Sequence, residues 1–240
     1  MIDTHCHLLP GLDDGARSQV ESVQMARRLV EFGVSRVVCT PHYSRRYPTP
    51  VSTAIERLTT LRNALDALGI GLATELAAEI SPSLALSAPD KEIVARCLPG
   101  GYAIVELVPT TGADVVDDVS DRFASLDLKP VYAHPERCQA VQQRPGTLDD
   151  ARAGGALVQV VASSLSGAAD SRVAAAAWSL IETGRVDLVA TDAHRPYAMQ
   201  IQLSSVASVI ERRYGKDAAH ALTTTNPARV LEPRGQTVSC

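Results

Sequence analysis

Seven short runs rich in valine, isoleucine and leucine recur along this chain, separated by longer amphipathic stretches, and that alternation narrows the folds open to it. The runs are Ile2 to His5, "VSRVVCT" (34–40), "IGLATELAAEI" (70–80), "YAIVELV" (102–108), "PVYAH" (130–134), "ALVQVVA" (156–162) and "DLVAT" (187–191). Between them, segments 16–32, 51–68, 115–126, 147–154, 170–183 and 198–213 carry helical periodicity. Gly33 and Gly69 each follow a helical pattern and precede a strand, as a C-terminal stop should. The alternation predicts an α/β fold, a closed or nearly closed β/α barrel, with a doubly wound open sheet as the second choice.

A chain of 240 residues, 45% hydrophobic and 21% charged, is long enough to bury one large core without dividing. The expected organisation is one domain over 1–231 followed by a flexible tail, "EPRGQTVSC" (232–240), rich in turn formers. A net charge of −4 gives no global basic face, so nucleic acid and anionic membranes are poor candidates for a main partner. Five cysteines without paired spacing argue against a disulfide framework and for a reducing cytoplasm. Neither a signal peptide nor a membrane anchor is expected, because no apolar stretch approaches the ~20 residues a span needs.

The polar residues fall in a pattern. The chain opens "MIDTHCHLLPGLDDG", where His5 and His7, two apart on a strand end, point the same way. His42 follows the second run, Glu79 closes the third, Glu106 lies late in the fourth, His134 ends the fifth, and Asp192 and His194 follow the seventh. In a β/α barrel these positions share one mouth. His220, in the helical "DAAHALT", is the exception and reads as a surface or partly packed histidine. Glu79 and Glu106 interrupt apolar runs, where an unpaired carboxylate would face a desolvation cost of several kcal/mol. Imidazoles and carboxylates without a thiolate cluster select manganese, iron, zinc or magnesium, and the ligands outnumber what one ion can use.

In order along the chain, "DTHCHLLPGLDDG", "TPHY", "AAEI", "VEL", "AHPER", "ASSLSG" and "TDAH" resemble the polymerase and histidinol phosphatase (PHP) superfamily. Within it they look most like the bacterial metal-dependent protein-tyrosine phosphatases of capsule and exopolysaccharide production, and "NPARVL" resembles that family's closing helix. The resemblance implies a distorted seven-stranded barrel with three divalent ions, manganese first among the candidates. His5, His7, Glu79 and Asp192 would hold one ion. Glu79, Glu106 and His134 would hold the second, and Asp14, His42 and His194 the third. Asp13 is left as a loop carboxylate or a partner of a ligand. Departures from the family pattern are Ala77 before Ala78, "EISPSL" and "DAHRP", all but the first on the rim that reads substrate.

The implied reaction is hydrolysis of phosphotyrosine by a metal-bridging hydroxide, with Asp192, Arg137 and Arg195 as catalytic residues. Arg137, three residues beyond His134, suits bidentate phosphate contact, and Arg45 and Arg46 in "YSRRYPTP" would meet an acidic phosphopeptide. The implied partner is the tail of a tyrosine autokinase that controls polysaccharide export. Two Cys-x5-Arg spacings, Cys39 to Arg45 and Cys138 to Arg144, imitate thiol-dependent phosphatases but lack the glycines of a phosphate loop. Three rivals remain: a phosphoesterase of the same superfamily acting on a metabolite such as histidinol phosphate, an amidohydrolase, and a non-catalytic module that binds phosphotyrosine tails.

Overall fold

The computed structural model describes residues 1–167, 169–197 and 203–234. Its strands are β1 (Ile2–Cys6), β2 (Arg36–Cys39), β3 (His42–Tyr43), β4 (Ala73–Leu76), β5 (Glu79–Ile80), β6 (Tyr102–Glu106), β7 (Lys129–Ala133), β8 (Leu157–Val161) and β9 (Leu188–Ala190). The helices are α1 (Gln19–Glu31), α2 (Val51–Ala67), α3 (Pro82–Ser87), α4 (Asp90–Val94), α5 (Ala113–Ser125) and α6 (Gln139–Gln143). They continue as α7 (Asp149–Ala153), α8 (Ala162–Leu165), α9 (Ser171–Glu182), α10 (Leu203–Tyr214), α11 (Lys216–His220) and α12 (Asn226–Leu231).

Every pairing is parallel, in two sheets ordered β1-β2-β4 and β3-β5-β6-β7-β8-β9. The two sheets are halves of one ring. β2 and β3 form one strand position interrupted at Thr40-Pro41, where proline offers no N–H to the ladder. β4 and β5 are likewise interrupted at Ala77-Ala78, and hydrogen bonds from Ala77 N to Cys39 O and from Glu79 N to Pro41 O carry the pairing across the break. The ring closes where Asp192 N donates to His5 O and His7 N donates to Ala193 O. Seven strand positions in sequential order make the barrel, as the alternation predicts, and the open sheet is set aside.

Period-two alternation gives each strand an inner and an outer face. Ala103, Val105, Tyr132, Val158 and Val160 join the large cluster between strands and helices. Val38, Ile104, Val131, Ala133 and Leu188 form a separate cluster inside the ring with Leu98, Val230 and Leu231. Val230 and Leu231 belong to α12, so the "NPARVL" helix seals the apolar lower half of the barrel and leaves the polar side chains at the other end. Arg234, assigned above to the tail, is tied to this closed end by hydrogen bonds to Gly100 O, Gly101 O and the Asp127 carboxylate. The rest of that tail, residues 235–240 with Cys240, and the 198–202 start of the last expected helix lie outside the described residues.

Local signals account for most element ends. Ser18 caps α1 by accepting from Glu21 N. Gly33 and Gly69 take left-handed φ values of +78° and +64° after α1 and α2, which only glycine adopts without steric cost. The expected 147–154 helix is shortened to α7, because Pro145 starts a separate turn of 3-10 helix. Among the described residues no helix is long and apolar enough to cross a membrane. Truncating Leu231, which is 3% exposed, opens a void under the barrel floor. Leu231→Ala should cost about 2–4 kcal/mol and lower Tm by about 5–10 °C in a thermal melt, while metal content per folded chain stays unchanged.

Candidate metal centre

Inside the upper half of the ring, β1 delivers His5 and, one residue past its end, His7; both are fully buried. Their Nε2 atoms lie 3.2 Å apart. Glu79 Oε2, from β5, is 3.3 Å from His5 Nε2 and 3.2 Å from His7 Nε2, and Asp192 Oδ1 is 3.5 Å from each. Four donors at 2.0–2.2 Å around one tetrahedral ion are separated by about 3.3–3.6 Å. The donor set therefore fits a divalent cation in both chemistry and spacing. Glu79 Oε2, 1% exposed as part of its residue, has no hydrogen-bond partner of acceptable geometry, which a cation would supply.

Two further sets adjoin this one. His7, Asp14, His42 and His194 bring ligand atoms within 4.8 Å of one another, as do His42, Glu79 and Glu106. His42 stands between them, with Nδ1 3.0 Å from Glu79 Oε2 and Nε2 3.4 Å from Asp14 Oδ1. His194 Nε2 is 3.5 Å from the same Asp14 oxygen. Glu79 also adjoins His134, the imidazole expected with it beside Glu106. His134 Nε2 contacts the other Glu79 oxygen, Oε1, at 2.8 Å, and His42 also offers a ligand atom near Glu79 and Glu106.

The polypeptide holds these donors in place by several means. His134 and Asp192 adopt left-handed φ values of +40° and +51°, each costing about 1 kcal/mol or more. Hydrogen bonds from His134 N to Gln159 O and from Asp192 N to His5 O fix both. Gly15 lies so close to His7 that a Cβ there would collide with the His7 carbonyl and Cβ, so glycine lets the Asp13-Asp14 loop rest on the mouth. Asp13 meets His7 Nδ1 at 2.7 Å, which directs Nε2 to the centre.

Three supporting residues escaped the sequence reading. Gln159 sits inward on β8 with its amide 2.9 Å from His5 Nδ1. Asp3, fully buried, accepts from Thr191 N and Thr191 Oγ1 and so anchors the segment that carries Asp192. Glu136 accepts from Val161 N and Ser164 Oγ, tying the Arg137 turn to the end of β8. Asp3 and Gln159 left a signal, a polar side chain inside an apolar run, like Glu79 and Glu106.

Of the predicted arginines, Arg137 reaches the centre, with Nη1 2.8 Å from Asp192 Oδ2. Arg195 lies against the Asp14 loop. Its Nη1 donates to the carbonyls of Asp14, Gly15 and His194, which clamps the loop that carries Asp14. Arg46 lines the mouth beside Glu106, and Arg45 is exposed at the tip of the same loop. The two Cys-x5-Arg spacings carry no reactive thiol: Cys39 is fully buried, with its pKa pushed up to about 12 by burial, and Cys138 is 1% exposed with Sγ donating to Thr111 O. Lys129, which begins β7, lies at the closed end, while Lys91 and Lys216 are on α4 and α11, so no lysine meets an amidohydrolase's need at the mouth.

Protonation follows from the mixture of charges. Burial pushes the Glu79 carboxyl upward, but the imidazoles of His5, His134 and His42 override it and hold Glu79 well below the carboxylate range. Burial lowers His7, His42 and His134, yet neighbouring carboxylates win and raise all three, Asp13 acting on His7 and Glu79 on the other two. Glu106 is raised by burial and by Glu79. Imidazoles with raised pKa values keep their protons to higher pH than free ones, and a ligating nitrogen must lose its proton. Manganese binding at pH 7 should therefore release protons, seen by calorimetry in buffers of different ionisation enthalpy, and affinity should rise with pH until these imidazoles are neutral. A pH-independent affinity without proton release would contradict the assignment.

Known proteins are similar to this chain. Tyrosine-protein phosphatase YwqE of Bacillus subtilis (strain 168) is 28% identical over 237 residues, spanning 93% of this chain and 89% of that protein. A solved structure described as YwqE from Bacillus subtilis and CpsB from Streptococcus pneumoniae, unique metal-dependent tyrosine phosphatases, superposes with a TM-score of 0.86 at 26% identity, covering 96% of this chain and 94% of the other. The β-aspartyl dipeptidase of Fervidobacterium islandicum AW-1, at 14% identity, TM-score 0.59 and coverage of 96% and 72%, shares the fold alone. Residues 1–232 match the family model described as capsular polysaccharide synthesis, CpsB/CapC, and the chain belongs to that family.

Proposed function

We propose that this chain is a metal-dependent protein-tyrosine phosphatase. The observation that carries the reading is the convergence of one buried carboxylate, Glu79, with the imidazoles of His5, His7, His42 and His134 at the barrel mouth, with Arg137 beside them on Asp192. The tyrosine phosphatase names of the relatives supply the substrate class. In this reading three divalent ions, manganese first, are held by His5, His7, Glu79 and Asp192, by Glu79, Glu106 and His134 or His42, and by Asp14, His42 and His194. Bound there, such ions activate water at neutral pH and offset charge on the phosphoryl oxygens.

The remaining work belongs to side chains. Asp192 takes a ligand's part through Oδ1 and orients Arg137 through Oδ2. Arg137 carries its charge beside the site, where a planar guanidinium suits the phosphoryl oxygens. Arg195 acts through Asp14 by clamping its loop, beside the phosphate contact expected from its position. Arg45 and Arg46 at the rim favour acidic residues flanking the phosphotyrosine. The proposed substrate is the tyrosine-rich tail of an autokinase governing capsule or exopolysaccharide synthesis, met in the cytoplasm.

Release of phosphate from a phosphotyrosine peptide should exceed that from a phosphoserine peptide or histidinol phosphate, vanish on chelation and return with manganese. Arg137→Ala should lower kcat/KM by about 10²–10³-fold with metal content intact. Preference for histidinol phosphate would transfer the substrate to the metabolite reading, and activity that survives chelation but dies on thiol alkylation would overturn the metal chemistry.

A further inference from the structure

The loop after β3 is a closed turn. Ser44 and Tyr47 exchange backbone hydrogen bonds of 3.2 and 3.1 Å, and Ser44 Oγ accepts a second from Tyr47 N at 3.2 Å. Arg45 and Arg46 occupy the tip, and the chain returns Tyr47 to the barrel mouth. There its ring lies nearly parallel to the His42 imidazole, 11° between planes and 5.7 Å between centroids, while the Arg46 guanidinium stands 5.2 Å from the same ring. Both distances fall within the range of offset stacking and cation–π contact. Among the described residues Tyr47 is, apart from the imidazoles themselves, the aromatic side chain that stacks on a donor imidazole.

Tyr47 and Arg46 also wall a depression of about 230 Å³ whose other lining residues are Asp14, His42, Ser44 and Glu106. Three of these, Asp14, His42 and Glu106, are donors of the proposed metal sites. For a phosphoryl group held by cations on those donors, this wall is the nearest surface to meet its ester oxygen and whatever that oxygen carries. In phosphotyrosine the group is a flat aromatic ring one P–O–C linkage away; in phosphoserine it is a flexible methylene with no face to stack.

We infer that Tyr47 is a specificity-determining residue that receives the aryl ring of the substrate against its own ring, selecting aryl over alkyl phosphate esters. The inference rests on the phosphatase reading above and adds to it a residue that discriminates substrates. The turn's hydrogen bonds hold the ring in place beforehand, so little side-chain freedom is lost when substrate arrives. Arg46 polarises the stack and offers a charge to an acidic neighbour of the phosphotyrosine.

The test compares the manganese-loaded wild type with Tyr47→Phe, which keeps the ring, and Tyr47→Leu, which keeps much of the bulk without it. Calorimetry measures binding of a non-hydrolysable peptide bearing phosphonodifluoromethyl-phenylalanine, and of orthophosphate as the ring-free control. Metal content and the kinetics on phosphotyrosine and phosphoserine peptides of one sequence complete the comparison. The phenylalanine variant should match wild type. The leucine variant should bind the aryl phosphonate about tenfold more weakly and raise KM for phosphotyrosine in parallel. Its kcat, its metal content, its orthophosphate binding and its kinetics on phosphoserine should stay within twofold. Unchanged aryl-phosphonate binding in Tyr47→Leu would overturn the inference, as would an equal loss of orthophosphate binding, which would make Tyr47 a prop for His42. A wild type that cleaves no phosphotyrosine peptide would overturn the phosphatase reading instead, and the binding series would still decide the role of Tyr47.

Discussion

A carboxylate that is 1% exposed inside a protein is the constraint around which this molecule is built. Glu79 taken alone would lose several kcal/mol of hydration on entering the barrel. Its neighbours are arranged to offset that loss: His134 on Oε1, and His5, His7 and His42 within 3.3 Å of Oε2. The same oxygen lacks a well-formed hydrogen bond, so imidazoles alone leave the cluster incomplete and a cation completes it. Replacing Glu79 by an apolar residue would remove the charge that raises the pKa of His42 and His134.

The fold serves this cluster by dividing the inside of the ring. Inward positions low on the strands, Val38, Ile104, Val131 and Leu188, make a dry floor sealed by α12. Inward positions near the strand ends carry His5, Glu79 and Glu106, with Gln159 beside His5. Rigid strands place the donors, and the left-handed turns at His134 and Asp192 aim two of them. The His134 turn is held by β8 through Gln159 O, and the Asp192 turn by a ring-closing bond to His5 O, which ties closure of the barrel to assembly of the site. Asp3 reinforces the link, because its two oxygens bind Thr191 immediately before Asp192.

The parts legible in the sequence were those with a period or a fixed offset. Alternating apolar runs predicted seven strand positions, and histidines and acids just past them predicted a mouth lined with donors. What stayed hidden depends on contacts between distant segments. No spacing tells that Arg195 reaches back to the Asp14 loop, since the two are 181 residues apart. That His134 meets one Glu79 oxygen and His42 the other is a fact of packing. Breaks in the second and third strand positions split two runs into short halves, of which only Pro41 left a mark. Tyr47 drew no reading of its own within "YSRRYPTP" because its turn closes through main-chain hydrogen bonds, which side-chain identity does not announce.

Anomalous diffraction from crystals of the manganese-reconstituted chain tests the central claim most directly. The account predicts manganese peaks on both sides of the Glu79 carboxylate, with His5, His7 and Asp192 around one, Glu106 beside another, and Asp14, His42 and His194 around a third. Peaks confined to surface carboxylates, with Glu79 bound to imidazoles alone, would contradict it.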